Sequence, residues 1–365
     1  MKVSIGSKVV EGPYGGGNLF VKNLSSYLLK KGNSVVYDLK DKDIDIILII
    51  NPLKNSESGT FNHLDALFYT KFVNKKSIIV QRINECDERK NTNNVNTQII
   101  QANKFADYTV YVSQWISDLF NEKGLDNKDS KVILSGSDIE IFNQKEKAYW
   151  NGKSKFKLAT HHWSANWMKG FDSYKIIDDL LDDSIWAEKI SFTYIGNLPN
   201  NYKFRNAEVV EPLSDIDLAK KLKLFDGYIT GSINEPSGNH HIEAMQCGLP
   251  ILFINSGGIP EYCSGNGLVF NNDNLEEKLE IFIKNYSDYI NEVRNYSNNS
   301  DRMSKEFHEL FTHLLSEKEK FISKRVEKNK VILLFIYNIS KLRKASFFYF
   351  IKFKKFLSKN FRKQK

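Results

Sequence analysis

At 365 residues the chain is too long for one ordinary hydrophobic core and suits two domains of roughly 150 residues each, with a remainder. Hydrophobic residues make up 41% and charged residues 26%, which excludes a disordered chain and leaves enough apolar mass for real cores. The net charge of +8 does not indicate a nucleic-acid groove, because residues 341–365 hold ten Lys or Arg and no acid, leaving about −2 on the other 340 residues.

From the N-terminus, residues 3–6 and 34–38 read as short strands, and residues 18–31 between them carry helical apolar spacing, so the chain opens with a βαβ unit. Further strands are expected at 44–50, 77–80, 108–112 and 132–134. A polar, charged stretch at 143–155 marks a linker, after which strands resume at 156–160, 190–195, 228–230 and 251–254, and a charge-rich helical stretch begins at Glu276. Apolar strands alternating with helices predict parallel sheets covered on both faces. The expected domains are 1–150 and 151–322, followed by a basic tail at 323–365.

Three cysteines, Cys86, Cys247 and Cys263, form no CxxC pair and no zinc-like spacing with histidine, so a reducing cytoplasm and no metal are expected. The N-terminus enters a core strand without a basic and then apolar leader, which predicts no export.

Asn234-Glu235-Pro236-Ser237-Gly238-Asn239-His240-His241-Ile242-Glu243 follows the strand at 228–230 and runs into Gly248-Leu249-Pro250. Gly238 would let the backbone approach a ligand at a helix N-terminus, a natural phosphate site, and Glu243 would sit in the first turns of that helix. A second glycine-rich loop, Gly12-Pro13-Tyr14-Gly15-Gly16-Gly17-Asn18, lies between the first strand and first helix. It lacks the GxGxxG spacing and following acid of a dinucleotide site.

The Glu235 run resembles the E-x7-E signature of the retaining GT-B glycosyltransferases of group 1. Ser256-Gly257-Gly258-Ile259-Pro260-Glu261 resembles the GGxxE element of that family, and Gly16-Gly17 its N-terminal glycine loop. The run 158–171, with Lys169-Gly170, resembles its Lys-Gly loop. Residues 106–115 and 132–142 resemble further landmarks in the correct order, so the likeness spans roughly residues 1–275.

The resemblance implies two Rossmann-like domains facing across a cleft, with a nucleotide diphosphate-sugar as donor and no cofactor or metal. It implies that Glu235 lies by the transferred sugar, that Glu243 binds the ribose hydroxyls, and that Lys169 neutralises the diphosphate together with amides near Gly238, Asn239 and His240. Gly16, Gly17 and Gly258 would line the donor site, and Glu261 would flank it. Retention would follow from attack on the face the leaving group departs from, with the diphosphate assisting acceptor deprotonation. The chain departs from the pattern at Ser164, where relatives place an arginine; His161, His162 or Asn166 are candidates to help there.

In the first half, the polar loop that follows residues 77–80 brings Arg82, Asn84 and Asp87 to the expected crevice. Asn84 is a candidate at the reacting centre, and Arg82 and Asp87 are candidates for the acceptor side. In the tail, Phe350, Phe353, Leu357 and Phe361 share one helical face and Lys352, Lys355, Lys359 and Arg362 another, so residues 331–365 are expected to bind an anionic membrane surface peripherally. The acceptor would be a glycan or a lipid-linked sugar. A GT-B sugar-nucleotide epimerase and a catalytically degenerate nucleotide-sugar binder are the alternative readings.

Overall fold

The computed structural model describes residues 1–10, 16–52, 58–125, 129–213 and 215–325, and the expected membrane-binding stretch 331–365 lies outside them. Among the described residues twelve strands form two sheets. The first contains β1 (Lys2–Ile5), β2 (Ser34–Val36), β3 (Ile46–Ile49), β4 (Ile78–Ile83), β5 (Tyr108–Tyr111) and β6 (Ser130–Val132), in the order β2-β1-β3-β4-β5-β6. The second contains β7 (Phe156–His162), β8 (Ile190–Gly196), β9 (Glu208–Val210), β10 (Gly227–Thr230), β11 (Ile251–Ile254) and β12 (Gly267–Phe270), in the order β12-β11-β10-β7-β8-β9.

Neighbouring strands pair in parallel throughout both sheets. That requires helical crossovers on both faces, which is why central strands such as β3, with every residue buried, read as unbroken apolar runs. In the first sheet the strand order reverses between β1 and β3, and in the second between β7 and β10. Such reversals open a crevice at the carboxyl ends of the strands, where ligands bind in open α/β sheets.

The expected second domain, 151–322, is corrected at its end. The helix Ser300–Ser316 returns to the first domain, because its apolar stripe Met303, Phe307, Leu310, Phe311 and Leu314 packs with Phe20, Leu24 and Leu28 of the helix Gly16–Lys30 in one core. Phe307 meets Phe20 edge-on at 5.2 Å between ring centroids. Asn299 caps the returning helix by accepting from Arg302 N at 2.9 Å, and Ser300 N donates to Ser137 O at 2.8 Å. The helix Lys318–Ser323 follows, and Arg325 then binds Asp107 and the carbonyls of Lys75 and Ser77 just before β4 and β5. The chain therefore leaves the described region at the amino-terminal edge of the first sheet, opposite the cleft. Among the described residues no helix is long and apolar enough to cross a membrane.

Candidate functional site

A cavity of about 480 Å³ opens between the two halves. The first half contributes Gly16, Asn18, Lys22 and Arg89, and the second contributes Trp163, Ser164, Lys169, Gly238, Asn239, His240 and Glu243.

Lys169 ends a short 3-10 turn, Trp167–Lys169, that Asn166 caps by accepting from Met168 N at 2.9 Å. The turn is tied to the loop after β10, since Ile233 N donates to Met168 O at 2.8 Å and Ser232 Oγ to Lys169 O at 3.2 Å. That tie brings the Lys169 ammonium onto the Glu235 carboxylate. From the other half, Arg89 Nε lies 3.0 Å from the second oxygen of Glu235, and Arg89 Nη1 donates to Glu85 at 3.0 Å.

Glu235 is buried beneath this pair and does not itself line the cavity. Burial alone would raise its pKa, but Arg89 and then Lys169 outweigh it and hold the carboxyl well below the ordinary range. Burial pushes the Lys169 ammonium down, with Glu235 opposing and Arg89 reinforcing the shift. The three charges act as one coupled unit across the cleft.

Gly238 sits at φ +70 just before the helix Asn239–Gln246, and a Cβ there would lie 2.8 Å from the rings of both His240 and His241. Gly238, Asn239 and His240, at the amino-terminal end of this helix, line the cavity. Gly16 comes so close to Asn239 that a Cβ would lie 3.1 Å from its side-chain amide, so the glycine lets the two halves meet. On the same helix as His240, Glu243 accepts or shares a proton with His161 Nε2 at 2.9 Å through Oε2, while His161 Nδ1 lies 3.1 Å from Tyr228 Oη. This fixes one carboxylate oxygen and leaves Oε1 available at the cavity wall.

The other candidates lie elsewhere. Gly17 is exposed with open space around it, and Gly258 packs behind the site, donating from its N to Glu235 O at 2.9 Å. Glu261 turns away from the cavity and caps the helix Gln114–Glu122 of the first domain, accepting from Gln114 N at 2.6 Å and Trp115 N at 2.7 Å.

Asn84 is half-buried and outside the cavity. Asp87 is used by its own loop, accepting from Thr92, Asn94, Val95 and Asn96, and so fixes the start of the helix Val95–Asn103 and the loop that carries Arg89. Arg82 is buried over the Phe20 ring with Nη2 donating to Ser135 Oγ at 3.1 Å, and burial pushes its pKa down to about 10. Neither Arg82 nor Asp87 lines this cavity, and Arg82 keeps its Nε and Nη1 buried without a hydrogen-bond partner among the described residues.

Of the residues offered in place of the missing arginine, His161 is engaged by Glu243 at 2.9 Å, Asn166 caps the turn that carries Lys169, and His162 is not a cation. His162 bonds Tyr174 Oη at 2.6 Å, and burial, followed by repulsion from Lys169, holds it well below its ordinary pKa. His240 bonds Thr230 Oγ1 at 2.8 Å and is likewise held neutral by burial. Sequence reasoning passed over Arg89 and Lys22. Arg89 stands in the polar loop after β4 among Glu85, Asp87 and Glu88, and Lys22 lies one helical turn past Asn18, on the face that lines the cavity.

With this geometry established, residues 201–303 match the family model described as glycosyl transferases group 1. The chain has the GT-B fold, and its residues 201–303 are similar to the glycosyl transferases of group 1. Among solved structures, this GT-B chain resembles a glycosyltransferase from Rickettsia africae with a TM-score of 0.63 at 13% identity, covering 86% of this chain and 98% of the other. It resembles HepE from Anabaena in complex with UDP with a TM-score of 0.62 at 13% identity, covering 86% and 100%. WaaG, a glycosyltransferase involved in lipopolysaccharide biosynthesis, aligns with a TM-score of 0.58 at 14% identity, covering 86% and 100%. No curated protein matches the chain in sequence.

Proposed function

We propose that this GT-B protein is a retaining glycosyltransferase moving a sugar from a nucleotide diphosphate-sugar to a glycan or lipid-linked acceptor, in the synthesis of a bacterial surface polysaccharide. The observation that carries the reading is the convergence of Lys169, the amides after Gly238 and the cavity-facing Glu243 on one cavity between the halves. The Lys169 ammonium and helix N-terminal amides suit a diphosphate, and Glu243 Oε1 suits a ribose hydroxyl. That HepE is solved with UDP and with UDP-glucose supports a nucleotide-sugar donor, and the role of WaaG in lipopolysaccharide biosynthesis supports the polysaccharide setting.

In the reaction the bond from the sugar C1 to the diphosphate oxygen breaks and the acceptor oxygen bonds C1 on the same face. The acceptor proton passes to the departing diphosphate. Lys169 and the amides stabilise the charge building on that leaving group, with no metal required. Glu235 holds both cations at the cavity wall.

Saturation-transfer NMR against UDP-, GDP-, ADP- and dTDP-sugars tests the reading. One donor class should bind, and Glu243→Ala should weaken it roughly 10- to 100-fold, since a hydrogen bond to a charged group contributes about 1.5–3 kcal/mol. Binding by none of the four would overturn the reading. The tail is proposed to hold the enzyme at the inner face of the cell membrane, and deletion of residues 331–365 should abolish sedimentation with vesicles rich in anionic lipid. Undiminished sedimentation would reject that role.

A further inference from the structure

We infer that Arg89 is a donor-clamping residue, a guanidinium that the N-terminal half extends across the cleft to hold the diphosphate, so that the donor site is complete only when the halves are closed. The inference rests on the nucleotide-sugar reading above.

The charge at this end of the cavity is the first argument. The second half brings Lys169 against Glu235, with Glu243 further along, so by its own side chains it is net negative where a dianion is to be held. It offers Ser164, an uncharged side chain, at the cavity wall where a second cation would be useful. The histidines nearby, His162 and His240, are bonded to Tyr174 and Thr230. The compensating positive charge comes from the other half, as Arg89 and Lys22.

The placement of Arg89 is the second argument. Its Nε faces Glu235 and its Nη1 faces Glu85, both at 3.0 Å, while Nη2 has no partner among the described residues, and the side chain lines the cavity. A guanidinium with one edge anchored and one amine free is pre-organised to take a phosphate oxygen with little loss of rotamer freedom. Its loop is built to hold that position: Asp87 gathers four donors beneath it, and Asn234 Nδ2 from the second half reaches Glu88 O at 3.3 Å. Glu85, in contrast, competes with an incoming phosphate for the same guanidinium.

Isothermal titration calorimetry of the full chain with UDP, GDP, ADP and dTDP, with the corresponding nucleosides followed by NMR, tests this. Arg89→Ala should weaken the bound diphosphate at least about tenfold, or 1.4 kcal/mol, and leave the nucleoside within about threefold. Adding Ser164→Arg to Arg89→Ala should recover a substantial part of the loss, because a cation then returns to the same wall from the other half. Glu85→Gln should tighten the diphosphate several-fold by removing the competitor, whereas a purely structural Arg89 would make that change neutral or harmful. Arg89→Lys, which keeps a charge for Glu235, serves if Arg89→Ala does not fold, and should still weaken the diphosphate measurably.

A folded Arg89→Ala, or in its place Arg89→Lys, that binds diphosphate within twofold of wild type would overturn the clamp while leaving the donor reading intact. Equal losses for diphosphate and nucleoside without recovery by Ser164→Arg would do the same. Wild-type protein that binds none of the four diphosphates would remove the donor reading and the clamp together.

Discussion

Replacing Glu235 by glutamine removes one charge with almost no change in shape. Lys169 and Arg89 would then face each other in a buried site without the anion that holds both. Breaking a buried ion pair by removing one partner costs about 3–5 kcal/mol, because the remaining charge is neither solvated nor paired. For a domain of this size each kcal/mol is worth roughly 2–4 °C, so a fall in Tm of about 10 °C is expected in differential scanning calorimetry near pH 7.5. Adding Lys169→Met should recover part of it, since one of the two stranded cations is then gone. The pH dependence sharpens the test. The folded carboxyl titrates well below its unfolded value, so its stabilisation is complete above about pH 4.5 and is lost as pH falls toward the folded value. The gap between wild type and Glu235→Gln should therefore be flat from pH 6 to 9 and narrow only in acid. A Tm within about 2 °C of wild type at pH 7.5 would refute the coupled-charge account.

The buried histidines set a second pH effect of the same sign at higher pH. Burial holds His162 and His240 well below their ordinary value and pushes His241 down to about 3, so below about pH 6.5 the unfolded chain takes up protons that the folded one refuses. Stability should fall by about 1.4 kcal/mol per pH unit per histidine on acidification, and His241→Phe should flatten the Tm profile between pH 6.5 and 4. An unchanged profile in that variant would exclude His241 as a contributor. Phe307→Ala should cost about 3–5 kcal/mol and, in amide hydrogen exchange, loosen β1, β3 and β4 while sparing β7 and β8, because Phe307 belongs to the first core. Loss of protection in β7 and β8 alone would contradict that assignment.

Ten of the twelve strands among the described residues were legible, the central ones as apolar runs because parallel strands buried on both faces leave no polar alternation to obscure them, while the edge strand β6 was met only at Val132. The two missed strands lie at sheet edges: β9 has only Val210 half-buried and β12 exposes Val269 by 43%. An edge strand with one partner needs fewer apolar residues, and its sequence resembles a loop. The destination of the Ser300–Ser316 helix was not legible either. Its stripe announces a helix with one buried face, yet spacing carries no information about which of two cores receives that face.

The same limit governs the site. Lys169, Gly238, Asn239, His240 and Glu243 stand at short, fixed distances from the ends of β7 and β10, so local pattern was enough to gather them at the cavity. Arg89 meets Glu235 only because two separately folded halves are pressed together, and no local spacing encodes that contact. Asp87 shows the converse: a polar residue after a strand end can be taken up by its own loop, and only its hydrogen bonds to Thr92, Asn94, Val95 and Asn96 reveal it.

The halves are joined by two kinds of contact, one apolar and one polar. On the crossover side, the Ser300–Ser316 helix buries a continuous apolar stripe in the first core, and each large side chain there contributes roughly 1.5–3 kcal/mol. At the cleft, closure depends on polar contacts: Glu261 on the amides of Gln114 and Trp115, the buried Tyr262 hydroxyl between Ser135 N and Val112 O, Asn234 on Glu88 O, and Arg89 on Glu235. Exposed charge contacts such as that of Glu261 are worth about 0–1 kcal/mol each and exchange readily with water. The apolar joint therefore lies on the crossover side and the polar one at the cleft, where the buried contact of Arg89 with Glu235 holds more strongly than the exposed one of Glu261. A ligand that bridges Arg89 and Lys169 would add its own attraction only when the halves are together, which is the condition for a ligand to shift such an equilibrium toward closure.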